Sequence, residues 1–474
     1  MSIIWSFIRG LNPFILLPTV LILWIIGISI FCQGIFLDGL VYAVISRNLG
    51  LDLCTFWQLK VHDAAPYFCS HPPLVFWIES FFYRILGDWF WIEKLYSFLT
   101  LICVFVLLKQ IWIKITTNKT FFWIAQIAFI STPLVVWAFS NNILENSSTV
   151  FSIAAVNAAL VGKAQQGYQR WIWVGLFVFL ASLCKGPTGL FALSIPFWEY
   201  LLLNRKKLSY YIYSTVMTVS VLLLSYFLLI LFSGKQGLDF FKNYLFVQLY
   251  QSLSGQLMKV DNRFYILGEL VMQIIPMALT AFLIWLLLRK KIEHKNELLK
   301  YSIFFAFIGL SASLPILISV KQIGFYIVPA LPYFALSFAC FCFPYWKFIS
   351  EWLLQQKKVV FYINLTLLLS IFAAGFAMFG RYGKVIRDQK LLNDVFIICN
   401  VVPPNTILDI SGDMSEEWSL QTYLYRYGYI NIKTEEKKAT YSIRKKGAVT
   451  PDGYKQLKLS TELFNIYKKT TFSE

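Results

Sequence analysis

A carboxylate, an imidazole and a few ammonium groups stand at the ends of long apolar runs in this chain. Asp38 follows the first run and opens the segment Leu37-Asp38-Gly39-Leu40-Val41-Tyr42-Ala43-Val44-Ile45-Ser46-Arg47-Asn48. An acid at the mouth of a membrane helix is costly unless something uses it. It fits a general base that takes a proton from a hydroxyl, and it fits equally a helix cap that accepts backbone amides. Further along the same connection stands His71-Pro72-Pro73-Leu74. Proline is a common helix starter, which accounts for the prolines. His71 suits phosphate binding or titration near neutrality; with His62 nearby, an exposed loop histidine is the plain alternative. Arg47 is expected to anchor on lipid phosphate.

Three further polar clusters interrupt apolar sequence. Ser140-Asn141-Asn142-Ile143-Leu144-Glu145-Asn146 places an acid at the top of a span. Lys185-Gly186-Pro187-Thr188-Gly189 places a lysine in a tight turn, and Lys321-Gln322-Ile323-Gly324-Phe325-Tyr326-Ile327-Val328-Pro329 adds a tyrosine to another. A lone lysine at such a place is ordinarily a snorkelling anchor. These two lysines, with Arg263, fall on the opposite side from the other basic clusters, and cations beside a candidate base suit an anionic leaving group.

The elements that must hold these groups are membrane helices. Of 474 residues, 58% are hydrophobic, 18% aromatic and 14% charged, with a mean hydropathy of +0.62. This excludes an ordinary soluble protein. The formal charge of +17 is distributed as short clusters between apolar runs, so it reports orientation and not nucleic acid. Spans of roughly 20 residues give about eleven helices, thirteen at most, with cores at 13–33, 89–113, 120–139, 143–162, 171–184, 187–203, 209–232, 264–288, 301–319, 324–345 and 359–379. Basic residues at Lys109, Lys114 and Lys119, at Lys163 and Arg170, at Arg205-Lys206-Lys207, at Arg289-Lys290-Lys291 and at Lys347, Lys357 and Lys358 mark the cytoplasmic side. The first run carries Arg9 before it and no small-residue cleavage pattern after it, so it is expected to remain as an anchor. The N-terminus is then cytoplasmic, and 34–88, 233–263 and everything after Arg381 face outward.

The 34–88 connection repeats apolar residues at helical spacing (Leu40, Val41, Val44, Ile45, Leu49, then Phe76, Trp77, Phe81, Ile85) and is expected to lie in the interface. Two domains follow: 1–380, and a small periplasmic α/β domain at 381–474. In the latter, Val395–Val401 reads as a strand, Pro403-Pro404-Asn405 as a turn, Ile407–Ile410 as a strand, Glu416–Tyr427 as a helix and Tyr429–Ile432 as a strand. The last residues read as loosely ordered. The eight cysteines lack metal spacing; Cys54 and Cys69 share the outer loop, and a disulfide between them is open.

No Walker, Rossmann, zincin, kinase or Gly-x-Ser-x-Gly pattern occurs. Nucleotide energy is absent outside the inner membrane, so a transferase there needs another activated donor, and a sugar on a polyprenyl phosphate is the obvious one. An acid opening an interfacial helix, a Pro-Pro-Leu element, a Lys-Gly turn and a late Lys-x-x-Gly-Phe-Tyr-Ile-Val-Pro string together resemble the integral-membrane glycosyltransferases of the C superfamily. The likeness runs over about residues 10–380 and, more narrowly, the chain is similar to bacterial relatives of protein O-mannosyltransferases and lipid A aminoarabinose transferases. The resemblance implies Asp38 as catalytic acid residue, with Gly39 where the family usually has Glu, and Glu145 as a second acid. It implies phosphate contacts from Lys185, Arg263, Lys321 and Tyr326, and from His71, which stands where many members have Lys. Inverting transfer to a lipid, glycan or protein hydroxyl follows, with a divalent ion open, since no acidic cluster demands one. A flippase for a lipid-linked sugar would share the spans and cations but not need the base, and would often show repeated halves. A non-catalytic assembly subunit is the third reading.

Overall fold

The structure is a computed structural model that describes residues 7–63, 65, 67–160, 167–203, 206–251, 262–292, 298–436 and 438–470. Lys163 and Arg205 of the basic clusters lie outside the described residues. In chain order the helices are α1 (Pro13–Ile25), α2 (Leu37–Gly50), α3 (Leu74–Leu86), α4 (Ile92–Ile115), α5 (Trp123–Ile130), α6 (Pro133–Phe139), α7 (Leu144–Ala159) and α8 (Gln169–Lys185). There follow α9 (Ile195–Trp198), α10 (Leu208–Asn243), α11 (Tyr265–Leu288), α12 (Leu299–Ser313), α13 (Leu331–Gln355), α14 (Lys357–Gly380), α15 (Gln389–Val401) and α16 (Trp418–Gly428).

The chain divides into two compact units. The first comprises 1–30, 69–75 and 94–381; the second comprises 31–68, 76–93 and 382–474. Much of the 34–88 connection thus belongs with the C-terminal residues, although it precedes them by some three hundred positions.

The first unit is a bundle of apolar helices, and the protein is a multi-pass membrane protein. Among the described residues, seven helical stretches are long and apolar enough to cross a bilayer: Ile92–Ile115, Gln169–Leu203, Leu208–Phe246, Tyr265–Leu288, Leu299–Ile318, Gly324–Gln355 and Lys357–Gly380. The other expected spans are helical but shorter or broken. Proline explains the breaks: Pro133 starts α6 after a Thr132 cap and ends the run begun by α5, while Pro187 and Pro196 divide 187–203 into a 3-10 stretch, α9 and a π-helical turn. Helices α7, α8 and α10 pack in succession, as do α12 with α13 and α1 with α14. Phe232, Met272, Leu287 and Phe376 project outward from α10, α11 and α14, where lipid is their solvent.

Residues 233–250, expected as part of an outer loop, are largely helical. Helix α10 kinks at Gly234, whose φ of 63° and ψ of −149° only glycine adopts readily. It then runs to Asn243 and passes into a π-helix over Tyr244–Tyr250. Phe240, Phe241 and Tyr244, which are buried, give this segment an apolar face that a loop would lack.

The second unit carries a five-stranded sheet of β1 (Ile407–Ile410), β2 (Asn431–Thr434), β3 (Tyr441–Lys445), β4 (Tyr454–Gln456) and β5 (Phe464–Lys469), ordered β2-β1-β3-β5-β4. Strands β2, β1 and β3 are parallel, and β5 pairs antiparallel with β3 and β4. Two expectations fail here. Val395–Val401 belongs to helix α15, because Leu392, Val395, Ile398 and Val402 recur every three or four residues and all enter one core; that period outweighs the β propensity of the individual residues. The lysine-rich end forms β3 to β5, with Ile443, Phe464 and Ile466 buried and the lysines on the outer face.

The same core takes Ile35 and Leu40 from the start of α2, and α2 packs on α16. Arg47 does not face lipid. It is fully buried, donates from Nη1 to the Arg426 carbonyl at 2.7 Å and the Tyr425 carbonyl at 3.3 Å, and lies 4.4 Å from the centre of the Tyr429 ring. Asp88 pairs with both Arg47 (3.8 Å) and Arg426 (2.7 Å), and Glu93 supplies a second carboxylate to Arg426 at 3.4 Å. The helix that carries Asp38 is therefore pinned by a buried guanidinium. His62 is likewise buried, beside the Tyr425 ring. Cys54 and Cys69 are free thiols.

Candidate active site

In the first unit, four of the expected residues converge. His71, Lys185, Lys321 and Tyr326 line one cavity of about 470 Å³. Its remaining wall mixes polar atoms from Thr188, Tyr244, Gln248 and Ser319 with apolar surface from Phe191 and Ile316. The sequence offered no signal for Tyr244 and Gln248, because they stand in a segment expected to be loop.

Lys185 is the last residue of α8, and Gly186 reverses the chain with φ 75° and ψ −140°. A Cβ on Gly186 would lie 2.0 Å from the Tyr244 hydroxyl. The Lys-Gly pair is thus a geometric requirement: glycine alone permits the backbone turn and the close approach of Tyr244. Gly186→Ala is expected to displace Tyr244 and destabilise the folded protein by about 1–3 kcal/mol, read as a lowered midpoint of thermal unfolding in detergent. An unchanged midpoint would remove this account of the turn.

The Lys185 ammonium points inward. It lies 3.0 Å from Oε1 of Glu145, with only 6% and 1% of the two side chains exposed. Its Nζ also sits 5.2 Å from the Tyr326 ring centre and 5.7 Å from that of Phe325, within range of a cation–π attraction. A buried ion pair requires such additional contacts to offset desolvation. Glu145 occupies the first turn of α7, where the helix dipole favours an anion. It stands behind Lys185, in a place suited to fixing that lysine.

Lys321 sits in the short 319–323 turn between two 3-10 stretches, Leu314–Ile318 and Gly324–Ala330. The turn is held by Ser319, whose hydroxyl donates to the Lys321 carbonyl (3.0 Å) and accepts from its amide (3.2 Å). Gln322, 2% exposed, bonds to the Arg263 and Ser319 carbonyls and accepts from the Ile266 amide. Arg263 is exposed and donates to the carbonyls of Ile318 and Ser319 at 3.5 and 3.3 Å. It braces the turn that presents Lys321. Gln322 is the positioning residue that sequence reading passed over.

The His71 imidazole is partly buried in the cavity wall, not exposed in a loop. Burial, then the Lys185 and Lys321 ammonium groups, hold it well below its usual range, so it is neutral near pH 7.

Asp38 belongs to the second unit. It lies in the first turn of α2, partly exposed, and the capping position is Phe36, whose side chain makes no cap hydrogen bond. Asp38 is therefore not the N-cap, and in the first turn of α2 the helix dipole favours its negative charge. Among the described residues no three or more His, Cys, Asp or Glu side chains group together as a metal site would.

Residues 70–230 match the family model for dolichyl-phosphate-mannose-protein mannosyltransferases. No curated protein matches the chain by sequence. Among solved structures, ArnT from Cupriavidus metallidurans bound to undecaprenyl phosphate superposes with a TM-score of 0.66 at 12% identity, covering 97% of this chain and 98% of that one. The same protein in the apo state gives 0.62 at 14% identity over 89% and 84%. The chain shares the fold of that protein. The likeness spans both units, and the family match takes in His71, Glu145 and Lys185.

Proposed function

We propose that this protein is a membrane glycosyltransferase that moves a sugar from a polyprenyl-phosphate donor to an acceptor hydroxyl. The observation that carries the reading is the convergence of Lys185, Lys321, His71 and Tyr326 on one cavity with apolar walls. Separate polar turns have no reason to share a cavity unless they bind something together, and ammonium groups with hydroxyl donors suit a phosphate. The structural neighbour bound to undecaprenyl phosphate supports a polyprenyl carrier.

In this reading Asp38 accepts the proton of the acceptor hydroxyl as that oxygen attacks the anomeric carbon. The bond from the anomeric carbon to the phosphate oxygen breaks on the opposite face, so the configuration inverts. Lys321, Tyr326 and the Lys185–Glu145 pair stabilise the charge that gathers on the leaving phosphate. Arg263 holds the Lys321 turn. The lysine clusters support a cytoplasmic N-terminus, with this chemistry on the periplasmic face of the inner membrane.

The test is transfer in proteoliposomes, with labelled polyprenyl-phosphate sugars offered singly alongside envelope lipids and glycans, and release of polyprenyl phosphate as readout. Lys321→Ala is expected to lower kcat/KM for donor by about 10- to 100-fold, the value of one charge-assisted contact. Unchanged donor kinetics would remove Lys321 from the phosphate site. Flipping of a labelled donor without release of polyprenyl phosphate would favour the transporter reading. Running the assay with and without a chelator reads any dependence on a divalent ion.

A further inference from the structure

His71 is the cavity group whose ordinary titration lies nearest neutrality. The titratable groups that line the cavity with it come from several elements: Lys185 from the end of α8, Lys321 from the 319–323 turn, Tyr326 from the following 3-10 stretch and Tyr244 from the π-helix after α10. Glu145 stands behind Lys185 as its partner. Burial first, and then the two ammonium groups, keep the imidazole neutral. A phosphate placed among them opposes both effects, since an anion within a few ångströms favours the imidazolium.

We propose that His71 takes up a proton when a phosphodiester enters the Lys185–Lys321 cavity, and gives that proton to the phosphate as the sugar leaves. This rests on the glycosyl transfer proposed above and assigns His71 a catalytic part in it. The acceptor oxygen bonds to the anomeric carbon, and its proton passes to Asp38. The electron pair of the broken bond between anomeric carbon and oxygen stays on the phosphate. His71 protonates that phosphate, which departs as a monoanion, and the imidazole returns to neutral. A phosphate monoester has its second pKa near 6. An imidazole is matched to that step, whereas a lysine ammonium, near 10, surrenders its proton poorly.

The experiment uses the full-length protein in lipid nanodiscs and a geranyl methyl phosphodiester, which carries one charge and does not titrate near neutrality. Any proton exchanged on binding then belongs to the protein. Calorimetry at pH 7.5 in buffers of different ionisation enthalpy is expected to read uptake approaching about one proton per ligand. Because the complex binds more protons than the free protein, affinity weakens as pH rises, by up to about tenfold per pH unit. His71→Lys is expected to bind with no uptake and a flat pH profile, and His71→Gln to bind more weakly with no uptake. Binding without proton uptake in the native protein, or equal uptake in His71→Gln, overturns the role of His71 while leaving the donor site intact. No binding by the native protein overturns the donor-site reading itself. In the transfer assay, a His71→Lys enzyme with native kcat at every pH overturns the return of the proton.

Discussion

Asp38→Asn is expected to lower the rate of sugar transfer by about 10²- to 10⁴-fold, the usual contribution of a positioned general base. The substitution keeps the size of the side chain and removes the lone pair that would accept a proton. Asp38 is in the first turn of α2 and the cap is Phe36, so the substitution removes no N-cap. Removing a carboxylate near a helix N-terminus costs about 0.3–1 kcal/mol. Helix α2 is held chiefly by Leu40 in the core and by the bonds of Arg47 to the Tyr425 and Arg426 carbonyls. The variant is therefore expected to insert and unfold much as the native protein does, and to bind the phosphodiester probe normally. Retained turnover would exclude Asp38 as the base. Loss of turnover together with loss of folding would return it to a structural role.

The second large effect concerns the Lys185–Glu145 pair. Lys185→Met leaves the Glu145 carboxylate enclosed with its cation gone, and breaking a buried pair on one side costs about 3–5 kcal/mol. Replacing both partners is different. With Glu145→Gln added, no charge is stranded, and most of that stability is expected to return, since buried pairs exchanged for neutral groups are often close to neutral. Donor binding is not expected to return, because the ammonium group stays absent from the cavity. Thermal unfolding in detergent and binding of the phosphodiester probe, measured on both single variants and the double, separate the two roles. A double variant no more stable than Lys185→Met would mean that charge burial is not what the pair manages.

Much of this arrangement is legible along the chain. Each apolar run of membrane length became helix, and the prolines that interrupt 120–139 and 187–203 mark the places where helices break. Lys185-Gly186 and Lys321 to Tyr326 stood out because cations and turn residues between apolar runs are costly, and both motifs reach the same cavity. Other features were hidden by competition between local signals. Val395–Val401 has strand-forming residues, yet its apolar face repeats at helical spacing with Leu392 and Val402 included. Tyr244 and Gln248 lie beyond the kink at Gly234, where a hydropathy window ends but the helix continues.

Local sequence determined which segments avoid water, where the chain must turn, and which few polar residues need a partner. Those are properties of residue type and spacing, set by the cost of exposing an apolar side chain or burying a charged one. Tertiary structure decided which partner each polar residue received. Arg47, which sequence sends to lipid phosphate, is enclosed by Asp88 and backbone carbonyls of α16. Glu145, which sequence treats as a second acid, pairs with Lys185 from the neighbouring helix. His71, which sequence leaves between loop and ligand, is kept neutral by burial and then by the ammonium groups of Lys185 and Lys321. The physical reason is common to all three. The state of a buried charge depends on charges within a few ångströms, and residues dozens or hundreds of positions apart become neighbours only when the helices pack.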